Sequence, residues 1–131
     1  MANIANITVK KNDGTTDIVY TALVPSAGDS VPAQWRADAV STIPAHRPTF
    51  KMLTQNNSKR NARVERLSFA YPVFITENGV EKKIGTIPME LNATIGTNFD
   101  QSVINEAVSQ FGNLVVSALI RGSMKDGYAP T

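Results

Sequence analysis

Hydrophobic positions along this chain alternate with period two over its first two-thirds and switch to a period near 3.6 after Gly96. The clearest alternation runs from Arg63 to Ile95. In its first arm the odd positions Leu67, Phe69, Tyr71, Val73 and Ile75 are apolar, with Arg66, Ser68 and Ala70 among the even ones. The second arm repeats the parity, with Ile87, Met89 and Leu91 set against Thr86, Glu90 and Asn92. Strand side chains point alternately to two faces, so each arm carries an apolar and a polar face, and the shared parity predicts that both arms turn their odd positions the same way. Glu77-Asn78-Gly79 joins the arms. Asn-Gly between two alternating runs is the strongest short-range hairpin signal, and one long hairpin is predicted.

Upstream, Ile4 to Lys11 alternates through Ile7 and Val9, Asn12-Asp13-Gly14 supplies turn chemistry, and Thr15 to Leu23 alternates through Ile18 and Tyr20, which predicts a hairpin within 1–24. Residues 25–30 read as a loop and Val31 to Val40 as a strand. The steps Ile43-Pro44 and Arg47-Pro48 push Ile43 and Arg47 to extended geometry and argue against a helix there. Thr49 to Leu53 reads as a short strand, and the polar run 55–61 as an exposed turn.

Beyond Gly96, Phe99, Val103, Ile104, Ala107, Val108 and Phe111 fall at helical spacing. Asn98 with Gln101 fits an N-cap and its capping-box partner, Gly112-Asn113 interrupts the pattern, Leu114 to Arg121 resumes it, and Gly122 is placed as a C-cap. The predicted class is α+β in a single domain, 1–131: an N-terminal β-hairpin (1–24), an antiparallel five-stranded meander sheet (31–96), two C-terminal α-helices (98–122) and a tail (123–131).

Composition changes this picture little. The 131 residues carry 13 Lys+Arg against 11 Asp+Glu, a net charge of +2, with 42% hydrophobic residues and no cysteine. Disulfide, zinc-thiolate and cysteine-nucleophile chemistry are thereby excluded. Neither a basic leader followed by an apolar run nor about 18 consecutive apolar residues occurs, which predicts a soluble protein without a membrane partner. His46 is the sole histidine and lies in an extended, proline-flanked stretch without a nearby carboxylate, so it reads as a loop histidine that packs or hydrogen-bonds locally. No phosphate loop, dinucleotide fingerprint or metal-ligand spacing occurs. An enzyme, a small-molecule substrate, a metal and a cofactor are all unexpected.

Charge does cluster locally. Arg47, Lys51, Lys59, Arg60, Arg63 and Arg66 lie within twenty residues. By parity Thr49, Lys51, Arg66, Ser68 and Thr86 share polar strand faces, and cations with hydroxyls grip phosphate and sugar and read base edges of RNA. The apolar side of so wide a sheet exceeds what two helices cover, and the long arms leave an edge. A symmetric dimer, in which Phe99, Val103, Ile104, Ala107, Phe111 and Leu114 meet a partner's sheet, resolves both.

The layout resembles the coat proteins of small single-stranded RNA bacteriophages of the levivirus type. Thr86-Ile87-Pro88-Met89-Glu90-Leu91 leading to Gly96-Thr97-Asn98, Lys59-Arg60-Asn61 before the long strand, and Tyr128-Ala129-Pro130 are similar to that family's last strand, basic turn and tail. The resemblance implies an interlocked homodimer, an icosahedral shell of the T=3 type enclosing single-stranded RNA, and an RNA hairpin bound on the inner sheet face for packaging and translational repression. It implies a virion location, with the bacterial host cytoplasm before assembly. The implied RNA-binding positions are Thr49, Lys51, Arg66, Ser68, Thr86 and Glu90, with Lys59, Arg60 and Arg63 from the basic cluster. Thr86 and Pro88 stand where the family commonly has a stacking aromatic and an asparagine, and Leu53 replaces a polar position. The alternative is a non-viral RNA-binding module that uses a sheet platform and forms no shell.

Overall fold

The computed structural model describes residues 2–131, in two compact units that meet between Thr94 and Ile95. The first unit is an antiparallel sheet whose strands lie in chain order: β1 (Ile7–Lys10), β2 (Asp17–Val24), β3 (Ala33–Arg36), β4 (Thr49–Asn56), β5 (Ala62–Glu77) and β6 (Val80–Gly96). The α+β meander is as expected, but the sheet has six strands. The N-terminal hairpin is part of the sheet, because β2 pairs with β3 through Thr21 opposite Arg36 and Ala22 opposite Trp35.

The first turn follows from Asp13. Its carboxylate accepts hydrogen bonds from the amides of Thr15 and Thr16, and Gly14 takes a positive φ of 75°, so β1 and β2 close with Lys10 opposite Asp17. Only 33–36 of the predicted 31–40 segment is strand. Asp38–Val40 and Pro44–His46 form single 3-10 turns, the second with proline at its start, where a missing N–H costs nothing. Ile43 and Arg47 are extended, as the prolines that follow them require. Strand β4 runs three residues past its predicted end, because Thr54, Gln55 and Asn56 pair with Glu65, Val64 and Arg63. The β4–β5 ladder ends at Thr49 opposite Ala70, so Pro72 of β5 lies beyond it, and Pro88 sits in the edge strand β6.

At the tip of the β5–β6 hairpin, Asn78 (φ 51°) and Gly79 (φ 77°) form the two-residue turn that Asn-Gly predicts. A two-residue turn sets odd positions of one arm opposite even positions of the other. Phe74 and Glu81 accordingly both meet His46, so around the tip the two arms do not share parity, contrary to expectation.

The apolar face of the sheet is a set of cross-strand rows. Trp35 opposes Phe50, which opposes Phe69, and Met52 lies between Ala33 and Leu67. Trp35 is buried, packs on Phe50 at 5.5 Å between ring centroids, and donates its indole N–H to the Ala5 carbonyl at 2.8 Å. Few residues are buried to this degree. Ala37, Pro48, Ala62 and Pro72 are the others of apolar character among the described residues, whereas Val80, Ile84, Ile87 and Met89 of β6 stay exposed.

The second unit holds α1 (Gln101–Val115) and α2 (Ala118–Asp126), which bend by 52° at their junction. Three expected boundaries move. Asp100 rather than Asn98 is the N-cap, and Gln101 bonds the Asn105 amide one turn on instead of closing a capping box. The chain breaks at Val116-Ser117 rather than Gly112-Asn113. Gly112 stays helical, while the Ser117 hydroxyl donates to the Leu114 carbonyl and its extended backbone opens α2. Gly122 lies inside α2, and the C-cap is Gly127, whose left-handed φ of 81° ends the helix. No residue of either helix is buried. No single helix among the described residues is long and apolar enough to cross a membrane.

Candidate nucleic-acid face

Register defines the polar face of the sheet. Directly opposed residues of an antiparallel pair share a face, so Gln34, Lys51 and Ser68 form one row across β3, β4 and β5. Arg36, Thr49 and Ala70 form the next, and Leu53 opposite Arg66 a third. Four expected residues, Thr49, Lys51, Arg66 and Ser68, are therefore brought together. Lys51 and Arg66 are exposed, and neither has an acidic partner within ion-pair distance among the described residues. Two cations free of internal partners, flanked by a hydroxyl and an amide, can meet phosphate oxygens and base edges without first breaking a protein contact.

The other basic residues divide. Lys59 and Arg60 stand exposed on the β4–β5 turn, where the Asn57 side chain accepts from the amides of Asn61 and Ala62 and Arg60 takes a positive φ of 54°. Arg63 opposes Asn56 and so belongs to the parity of Phe50 and Phe69, not that of Lys51. Its guanidinium is committed as a fork to Asp29, with Nη2–Oδ1 at 2.7 Å and Nη1–Oδ2 at 2.9 Å, and also donates to Asn56 Oδ1 at 3.0 Å. That fork holds the Asp29 carboxyl below its ordinary range and raises the arginine. Arg47 is equally committed, to the carbonyls of Ser41 and Thr42 and to Asp38. Thr86 and Glu90 lie exposed on β6.

Gln34 and Arg36 were not singled out from the sequence. The signal was present: once Trp35 points into the apolar face, its two neighbours must point out. Arg36 is held by Asp38 at 2.6 Å, whereas the Gln34 amide sits beside Lys51. Among the described residues no three His, Cys, Asp or Glu side chains group as a metal site. Ser41 and His46 both address one carboxylate oxygen of Glu81 rather than each other, so they do not form a nucleophile and base.

The fold and its polar face define a class: an antiparallel meander sheet with one bare cationic face, followed by two exposed amphipathic helices. Solved structures that share that architecture include phage coat and capsid proteins. The chain is similar to the virus-like particle of Beihai levi-like virus 21, with a TM-score of 0.82 at 18% identity over 99% of each chain. It is similar to the bacteriophage EMS014 coat protein, with a TM-score of 0.82 at 11% identity over 99% of this chain and 100% of that one. It also matches the bacteriophage GA capsid protein, with a TM-score of 0.72 at 15% identity over 98% of each. No family model and no curated protein sequence matches. The shared property is the fold, from end to end.

Proposed function

We propose that this chain is the coat protein of a small RNA phage: a non-catalytic subunit that dimerises and closes an icosahedral shell of the T=3 type around single-stranded RNA. The observation that carries the reading is unsatisfied apolar surface. Phe99, Val103, Phe111 and Leu114 are 48–60% exposed, and the chain exposes 9623 Å². A self-contained monomer of 14.2 kDa exposes about 6,800 Å². The excess, roughly 2,800 Å², is of the size obligate interfaces bury. The helix positions Phe99, Val103, Ile104, Ala107, Phe111 and Leu114 meet the partner's sheet, and β6, a 17-residue edge strand with exposed apolar side chains, pairs with its copy across a two-fold axis.

Thr49, Lys51, Arg66 and Ser68, joined by Lys59 and Arg60 at the turn, face the packaged RNA and bind an RNA hairpin that marks the genome and represses translation. The protein resides in the virion, and in the bacterial cytoplasm before assembly. Size-exclusion chromatography with light scattering, followed by electron microscopy of the eluted material, tests the reading. Closed particles containing nuclease-protected RNA are expected. A stable monomer of 14.2 kDa that never forms particles, with or without RNA, overturns it.

A further inference from the structure

The one histidine of the chain is buried, 6% exposed, and its partners come from distant stretches. Nδ1 lies 2.8 Å from Glu81 Oε2, across 35 residues of chain, and the imidazole stacks on Phe74 with centroids 5.0 Å apart and planes 15° from parallel. Ser41 Oγ addresses the same carboxylate oxygen and accepts in turn from the Ile43 amide at 3.1 Å. An ionised carboxylate has no proton to give, so Nδ1–H and the serine hydroxyl are both donors. The 41–46 segment thus grips the first turn of both hairpin arms, Phe74 on β5 and Glu81 on β6. Among the described residues Glu81 is the only charged group within ion-pair reach of His46. The adjacent Arg47 turns instead to the carbonyls of Ser41 and Thr42 and to Asp38.

We propose that this cluster is an acid-released latch that fixes the tip of the β5–β6 hairpin to the 41–46 segment. Protonating Glu81 weakens the acceptor that two donors share, and a buried N–H and hydroxyl left without a full acceptor are unfavourable in a desolvated site. The latch is local. The tip beyond Thr76 is largely exposed and lies at the end of the β5–β6 ladder, on the outer strand of the sheet, whereas β4 and β5 are tied by eight paired positions. The Ser41 and His46 hydrogen bonds hold the Glu81 carboxyl below the ordinary glutamate range, against the opposing effect of burial. A depressed carboxyl stabilises fully above its unfolded value and loses that contribution as pH falls through the lower folded one. The tip therefore stays latched at neutral pH and opens only as pH falls below the ordinary glutamate range.

Hydrogen exchange of the full chain, followed by mass spectrometry from about pH 7 to about pH 3 and corrected for intrinsic rates, tests this. Protection of residues 76–83 is expected to fall about tenfold in one step as pH drops below the ordinary glutamate range, while β4 and the part of β5 paired with it keep theirs. Glu81→Gln, which cannot ionise, is expected to lack the step. An unchanged tip in the wild type, or the same step in Glu81→Gln, overturns the latch. In the wild type the Glu81 carboxyl, titrated by carbon-13 NMR, must share the midpoint of that step, and a different midpoint overturns it even if the variant does not fold.

Discussion

Lys51 and Arg66 stand on the polar face without acids to hold them, while Arg36, Arg47 and Arg63 each have one. This division separates cations available to a ligand from cations that build the fold. Each phosphate contact to single-stranded RNA releases counterions and adds about 0.7 to the slope of log affinity against log salt. Lys51→Ala and Arg66→Ala are each expected to weaken RNA binding and to flatten that slope by about this amount, measured by filter binding across a salt series. An unchanged slope in both assigns RNA to another surface. Arg63→Ala is expected to loosen the link to Asp29 instead. Asp13 gives a residue-scale test of pH dependence. Its carboxyl is lowered to about 2, first by the Thr16 hydroxyl and then by the amides of Thr16 and Thr15. Its contribution to the first turn is present above the ordinary aspartate value and is lost as pH falls toward 2. NMR titration of the Asp13 carboxyl is expected to give that low midpoint, and a midpoint in the ordinary range rejects the turn geometry. Local chemistry of this kind was legible in Asn12-Asp13-Gly14. The pairing of His46 with Glu81 and of Arg63 with Asp29 was not, because 35 and 34 residues separate the partners and no periodicity links them.

Among elements, the two hairpins and the helical end were legible because turn residues and period report on the same few neighbours. Boundaries were less so. Strand β4 gained Thr54, Gln55 and Asn56 through cross-strand pairing that a polar run does not advertise, and the helix break moved to Ser117 because Gly112 costs a helix little when nothing else stops it. Parity across the long hairpin needs the turn's residue count, which overrides the alternation within each arm. Gly79 tests the turn itself. With φ of 77° and open space around its Cα, Gly79→Ala strains only the backbone and is expected to cost about 1 kcal/mol in urea unfolding. Gly85→Ala, also in open space but without a positive φ, is expected to be neutral or slightly stabilising. Equal effects at the two sites argue against a left-handed turn at Gly79.

At the scale of the whole molecule, the sheet and helices were legible, but their shortage of burial was only inferred, because hydrophobic spacing says which face is apolar and not what covers it. Substituting an exposed side chain in a monomer usually changes stability by less than about 0.5 kcal/mol. Phe111→Asp, at a position 48% exposed in one chain, is instead expected to abolish dimers and particles by forcing a charge into the interface. Sedimentation analysis of the variant decides this, and normal assembly would mean that α1 faces solvent. The strict meander order carries one more consequence, for synthesis. Every strand pairs with the one made just before it, so no strand waits for a distant partner. Hairpins close in roughly 1–10 μs, whereas a ribosome adds about 5–20 residues each second. The sheet can therefore be complete on the nascent chain before α1 and α2 emerge with their exposed apolar faces.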